Sequence, residues 1–341
     1  MLRIFHLLAL SACGSVVQNP HSSEPDAGAD GAAPSIARVA ILDDFDQDFT
    51  NSPFDDRLTV LTFDLATNTA SLGAPVSGIN TSQTIGGNHA IAVSPDGALI
   101  AAVENATPAI PIFDKSMQKL TTIAGSTFIS VAVTDARIYG ASDQTGIRAY
   151  DAMSRAEVSG SPSATMNGFD LAVDTQRNVL WGVGTKLWRG NATTLQGAEV
   201  ASYGWFAVSM DIASDGSVWV AERNHPDAGG IDALRHYSNS GAEIASDTKL
   251  LQGSPFCVRV HPKTGDVWFA GAAGVGRYDA AGYHAVDSSG PFWTLAIDPA
   301  TGTVFAGGFG TTNISVFAQS GTPLATVPGF STSVKSIAVI P

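Results

Sequence analysis

Seven segments of alternating aliphatic residues recur along this chain at a spacing near forty residues. Their anchors are Val93, Val133, Val173, Ile212, Val260, Ile297 and Val339, and successive anchors lie 40, 40, 39, 48, 37 and 42 positions apart. Each segment runs into a turn or into the chain end. Strand-like units repeated at this period cannot bury their apolar faces singly and must stack on one another. That is the signature of a β-propeller. The expected fold is therefore all-β, a seven-bladed β-propeller spanning residues 37–341.

Two further features follow the same period. A second strand succeeds each anchor across a short turn, as in Ser94-Pro95-Asp96-Gly97, Ser214-Asp215-Gly216, Pro262-Lys263-Thr264-Gly265 and Pro299-Ala300-Thr301-Gly302. Gly, Pro and Asp suit a reversing backbone, so these turns are structural. A third strand carries one aromatic per repeat: Phe63, Phe113, Tyr150, Trp188, Tyr237, Tyr278 and Phe317. One aromatic per unit reads as the layer that packs blade on blade. No anchor strand precedes residues 38–42, whereas residues 336–340 form one at the other end. The ring is thus expected to close by the C-terminal strand pairing into the first blade, removing two exposed edges.

The formal net charge of −13 opposes nucleic acid, whose phosphates it would repel, and charge-driven binding to anionic lipid. Of the two cysteines, Cys13 falls in a terminal segment and Cys257 in an anchor strand, so no disulfide is expected and Cys257 reads as a small core residue.

The N-terminus reads as an address. A basic start at Arg3 precedes an apolar run, Ile4 to Ala12, that ends Leu10-Ser11-Ala12-Cys13. This resembles the lipobox of bacterial lipoproteins, which implies a signal peptide over residues 1–12 and lipidation of Cys13. Residues 13–36 are rich in Ser, Pro, Asp, Ala and Gly and have too few large apolar residues to build a core, so they read as a tether. The implied location is the bacterial cell envelope, with a monomer held at the membrane by its lipid alone.

The Ala-Val-Ser-Pro-Asp-Gly turn and the forty-residue unit of residues 37–341 resemble the broad YVTN/NHL-type bacterial propellers. The Gly-His and Trp-Asp markers of WD40 repeats are missing. In a propeller the anchor strands line a central channel, and ligands meet the loops that lead into those strands and follow the second strands. Residues leading in are His89, Phe169, Phe256 and Trp293, which could line a rim for an apolar or sugar-like ligand or else close the channel mouth by packing. Residues following the second strands are Glu104, Asn105, Asp143, Glu222, Asn224 and His225. The acidic stretch with Asp44, Asp46 and Asp48 offers oxygens to Ca2+ or Mg2+ but lacks the Gly that an EF-hand requires, and a solvated acidic loop is the plainer account.

Two functional classes follow. One is a binding or scaffolding module for an envelope protein or a small-molecule or sugar ligand. The other is a divalent-metal-dependent hydrolase like the gluconolactonase-type propellers, using Glu, Asn and Asp at the channel mouth. The paired His and Glu of streptogramin-lyase-like propellers are incomplete here. There is no GxSxG elbow, HExxH helix or P-loop.

Overall fold

The computed structural model describes residues 35–44, 56–79, 81, 89–105, 107–142, 145–158, 168–203, 206–223, 232–247, 255–308, 310–330 and 333–341. Its strands form seven antiparallel sheets, the seven blades of a propeller. Pro34–Pro341 is one compact unit. No described helix is long and apolar enough to cross a membrane.

Every anchor falls in the innermost strand of a blade. These strands are Ser333–Val339 (blade 1), Ile91–Val93, Ser130–Val133, Gly168–Asp174, Phe206–Ile212, Pro255–Val260 and Phe292–Ile297 (blades 2 to 7). In blades 2 to 7 each leads across a tight turn to its second strand. Gly97, Gly216, Gly265 and Gly302 occupy those turns with φ of 69°, 84°, 75° and 76°, a left-handed region where a Cβ is unfavourable. The Asp residues that follow third-strand aromatics have a similarly local task. Asp64, Asp114, Asp151 and Asp279 each accept a backbone N–H from two positions ahead, at 2.8–3.0 Å, and so cap the next turn.

Two outer strands depart from the pattern. In blade 1 the outer position is shared by Thr69–Leu72 and Val76–Ile79, with Gly73 donating to Val60 O between them. In blade 3, three strands pair in full, and Tyr150 and Glu157 make only an isolated bridge where a fourth would lie.

The core is divided among the blade interfaces. Phe63 packs between blades 1 and 7, Phe113 between 1 and 2, Tyr150 between 2 and 3, and Trp188 between 3 and 4. Tyr237, Tyr278 and Phe317 fill the remaining three. The aromatic repeat is the blade-packing layer that its spacing implied. Trp188, the largest of the seven, lies over Gly190 and Gly197, where an added Cβ would come within 2.1 and 2.4 Å of its ring.

The ring closes as expected. Ser333–Val339 pairs with Ile36–Asp44, setting Ile337 opposite Ile41 and Val339 opposite Val39, and Ile340 N donates to Arg38 O at 2.9 Å. Beside this seam Lys335 and Asp56 form a buried ion pair at 2.9 Å, and Thr81 N donates to the same carboxylate at 2.6 Å.

Candidate functional site

Inner strands converge on the axis, so equivalent positions of the seven repeats form rings around the channel. One position before the anchors, the ring reads Ala92, Ala132, Ala172, Asp211, Arg259, Ala296 and Ala338. Five alanines keep the wall small. The channel holds about 520 Å³ and is lined by these residues, every anchor but Val260, His89, and the Asp174–Arg177 turn. Asp211 and Arg259 are the exceptions in an otherwise aliphatic ring.

Three positions before the anchors the ring reads Ala90, Ser130, Asp170, Ser209, Cys257, Thr294 and Ser336, every one of them fully buried. Small residues are needed where the strands crowd together. Asp170 alone is ionisable as a carboxylate, and it is surrounded by donors. Its Oδ1 accepts His89 N at 2.9 Å, His89 Nδ1 at 2.8 Å, Ser130 Oγ at 3.1 Å and Leu171 N at 3.0 Å. Its Oδ2 accepts Met210 N at 2.9 Å. Burial opposes the charge, but His89, through its charge and hydrogen bonds, and the more distant Arg259 outweigh it and hold Asp170 below the usual carboxylate range.

Asp211 accepts Val260 N at 2.8 Å and Ile212 N at 2.9 Å. Burial pushes its carboxyl up, and the Arg259 charge opposes that rise only in part. Arg259 donates to Ser209 Oγ at 3.1 Å and to Val258 O at 2.7 Å. Burial disfavours its charge, yet neighbours including Asp170 and Asp211 raise its pKa above the ordinary value. The thiol of Cys257 is pushed up by burial, which suits a neutral core residue.

His89 stands one position further out, four before its anchor. Asp170 is an acceptor only, so His89 Nδ1 carries the hydrogen between them. Nε2 then has no partner among the described residues, on a ring that lines the channel. The same position in blades 4, 6 and 7 holds Phe169, Phe256 and Trp293. The strand register shifts at each of these three, between Gly168 and Asp170, Pro255 and Cys257, and Phe292 and Thr294. A bulge adds one residue and re-aims its side chain, which presents the aromatics at the strand ends. Phe256 and Trp293 are half-buried with ring centroids 5.8 Å apart, and the Arg223 guanidinium lies 4.9 Å over Phe256. Burial lowers the Arg223 pKa, with Asp232 opposing.

Residues after the second strands sit at the same end but serve the blades themselves. Glu222 is buried and ion-paired with Arg235 Nε, and Arg235 also reaches Glu243 at 3.1 Å. Glu104 is buried and makes a two-way backbone bridge with Ala109. Asn105 Nδ2 donates to Phe128 O at 2.8 Å, tying blade 2 to blade 3. Cys13, Asp46, Asp48, Asp143, Asn224 and His225 lie outside the described residues. Asp44 ends its strand opposite Ser333. Among the described residues, no group of three or more His, Cys, Asp and Glu could hold a metal ion.

Asp170, Asp211 and Arg259 were not singled out by sequence reasoning. Their signal was available: once the repeats are aligned on their anchors, charge stands where the other repeats carry Ala, Ser, Cys or Thr. The chain matches no family model and no curated protein.

Proposed function

We propose that this chain is a lipid-anchored bacterial envelope protein whose YVTN/NHL-type propeller acts as a binding module. Cys13 carries the lipid, residues 14–36 tether the body, and the ligand enters the channel past His89, Phe169, Phe256 and Trp293. One observation supports binding above the alternatives: a channel of about 520 Å³ whose aliphatic wall is interrupted by His89, Asp211, Arg259 and the polar Asp174–Arg177 turn. Concave space where an apolar wall meets convergent polar groups is what small-ligand sites offer. A lactonase-type metal site would draw on Glu222, and the pairing of Glu222 with Arg235 favours the binding module instead.

The test uses the full chain expressed in a Gram-negative host. Wild type is expected in the membrane fraction with acyl label on Cys13, and Cys13→Ser in the soluble fraction. Native mass spectrometry of the detergent-extracted chain is expected to show a small-molecule adduct. Soluble, unlabelled wild type would refute the anchor, and an adduct-free spectrum would refute channel binding.

A further inference from the structure

Resting on the channel-binding reading, we infer that the channel selects a small neutral molecule with an aliphatic skeleton and a hydroxyl group. Three observations converge on that class.

The first is charge balance. The ionisable groups on the channel wall stand beside groups of opposite sign within the chain. His89 meets Asp170 at 2.8 Å and Arg177 meets Asp174 at 2.9 Å. Asp211 and Arg259 stand side by side on the inner strands of blades 5 and 6, where Asp211 Oδ2 accepts the N–H of Val260, the residue after Arg259, at 2.8 Å. A ligand ion entering here would leave water for a site whose charges are already matched, and its desolvation would go uncompensated. A neutral molecule avoids that cost.

The second is the wall. Ala338, Ala92 and Ala132, in blades 1 to 3, present methyl groups on the arc away from Asp211 and Arg259. Such a surface rewards saturated carbon by burial and offers no ring on which a planar base or a sugar face could stack.

The third is His89. With Nδ1 committed to Asp170, Nε2 is the ring nitrogen left for a ligand. A neutral imidazole accepts there and an imidazolium donates. A hydroxyl satisfies either state because it both donates and accepts. The fully buried Asp170 fixes the ring, as five hydrogen bonds fix Asp170 itself.

The experiment compares four near-isosteric probes on the lipid-free propeller body, Pro34–Pro341: cyclohexanol, methylcyclohexane, cyclohexylammonium and cyclohexanecarboxylate. Affinities are read by ligand-observed NMR. Cyclohexanol is expected to bind at least tenfold more tightly than either ion and more tightly than methylcyclohexane. His89→Phe should remove the advantage over methylcyclohexane, and Ala132→Leu, which narrows the channel, should weaken both neutral probes. Tighter binding of either ion would overturn the neutral class while leaving a ligand channel intact. Equal binding of cyclohexanol and methylcyclohexane would overturn the role of His89. Binding of none of the four would overturn the channel as a site and, with it, the reading on which this inference rests.

Discussion

Lys335 Nζ lies 2.9 Å from Asp56 Oδ1, so side chains 279 positions apart share one buried ion pair. Lys335 belongs to the closing strand and Asp56 to the third strand in order across blade 1. Thr81 adds its backbone N–H and hydroxyl to the same carboxylate. The pair therefore fastens the seam from one side while the strand ladder holds it from the other.

Removing one partner should cost far more than removing both. Lys335→Ala leaves a buried carboxylate without its cation, and about 3–5 kcal/mol of stability should be lost. Lys335→Met combined with Asp56→Leu should recover part of it. Urea melts of the two variants check this, and equal losses would show that the charges are not coupled.

Deleting residues 334–341 should be more severe still. The deletion removes nearly all of the ladder to Ile36–Asp44 and reopens two strand edges. Cooperative thermal unfolding is expected to vanish or to fall by tens of degrees. Retention of the full-length melting temperature would mean that the seam carries no stability.

Asp170→Asn should also destabilise strongly, by about 3 kcal/mol or more, because an amide nitrogen cannot accept hydrogen bonds that the lost oxygen took. The donors come from the segment before blade 2 and from blades 3, 4 and 5, so the loss is spread around the ring. A urea-melt loss below 1 kcal/mol would contradict this account.

Acid sensitivity should trace in part to His261. Its Nδ1 accepts Lys263 N and Thr264 N, each at 3.2 Å, so the turn needs a neutral ring. Burial holds the His261 pKa below the ordinary 6.5, more than Asp266 can offset. Below pH 6.5 the unfolded chain takes up this proton before the folded one does. The contribution to stability is therefore complete above pH 6.5 and is lost as pH falls through the lower folded value. His261→Asn keeps an acceptor without the titration, so its melting temperature should fall less than that of wild type between pH 7.5 and pH 5. Parallel falls would assign the acid effect elsewhere.

Trp188 and Gly197 should behave as a coupled pair. Gly197→Ala forces a Cβ to 2.4 Å from the indole, within 2.6 Å of Gly190 Cα and 2.4 Å from Arg189 O, and about 1–3 kcal/mol of overpacking is expected. Trp188→Phe should relieve the ring part of the clash. A double-mutant cycle by urea melts reads the coupling, and strict additivity would mean that the indole does not set the requirement for glycine.

The chain itself determined the blade number, the strand order, the aromatic packing layer and the closure. Each is written at a fixed period, and periodic burial is a local property that recurs in every repeat. Val93 and Val339 are recognisable as equivalents from sequence position alone, before their blades are known to touch. The polar channel was decided by tertiary structure. Asp170 meets His89 from 81 positions away and Met210 from 40, distances that only ring closure brings to 2.9 Å. The same holds for Glu222: its sequence position marked it as a rim oxygen, while the fold set Arg235 against it across the neighbouring strand. Repetition reveals what every blade shares. Which side chains face one another across the axis depends on the circle they close.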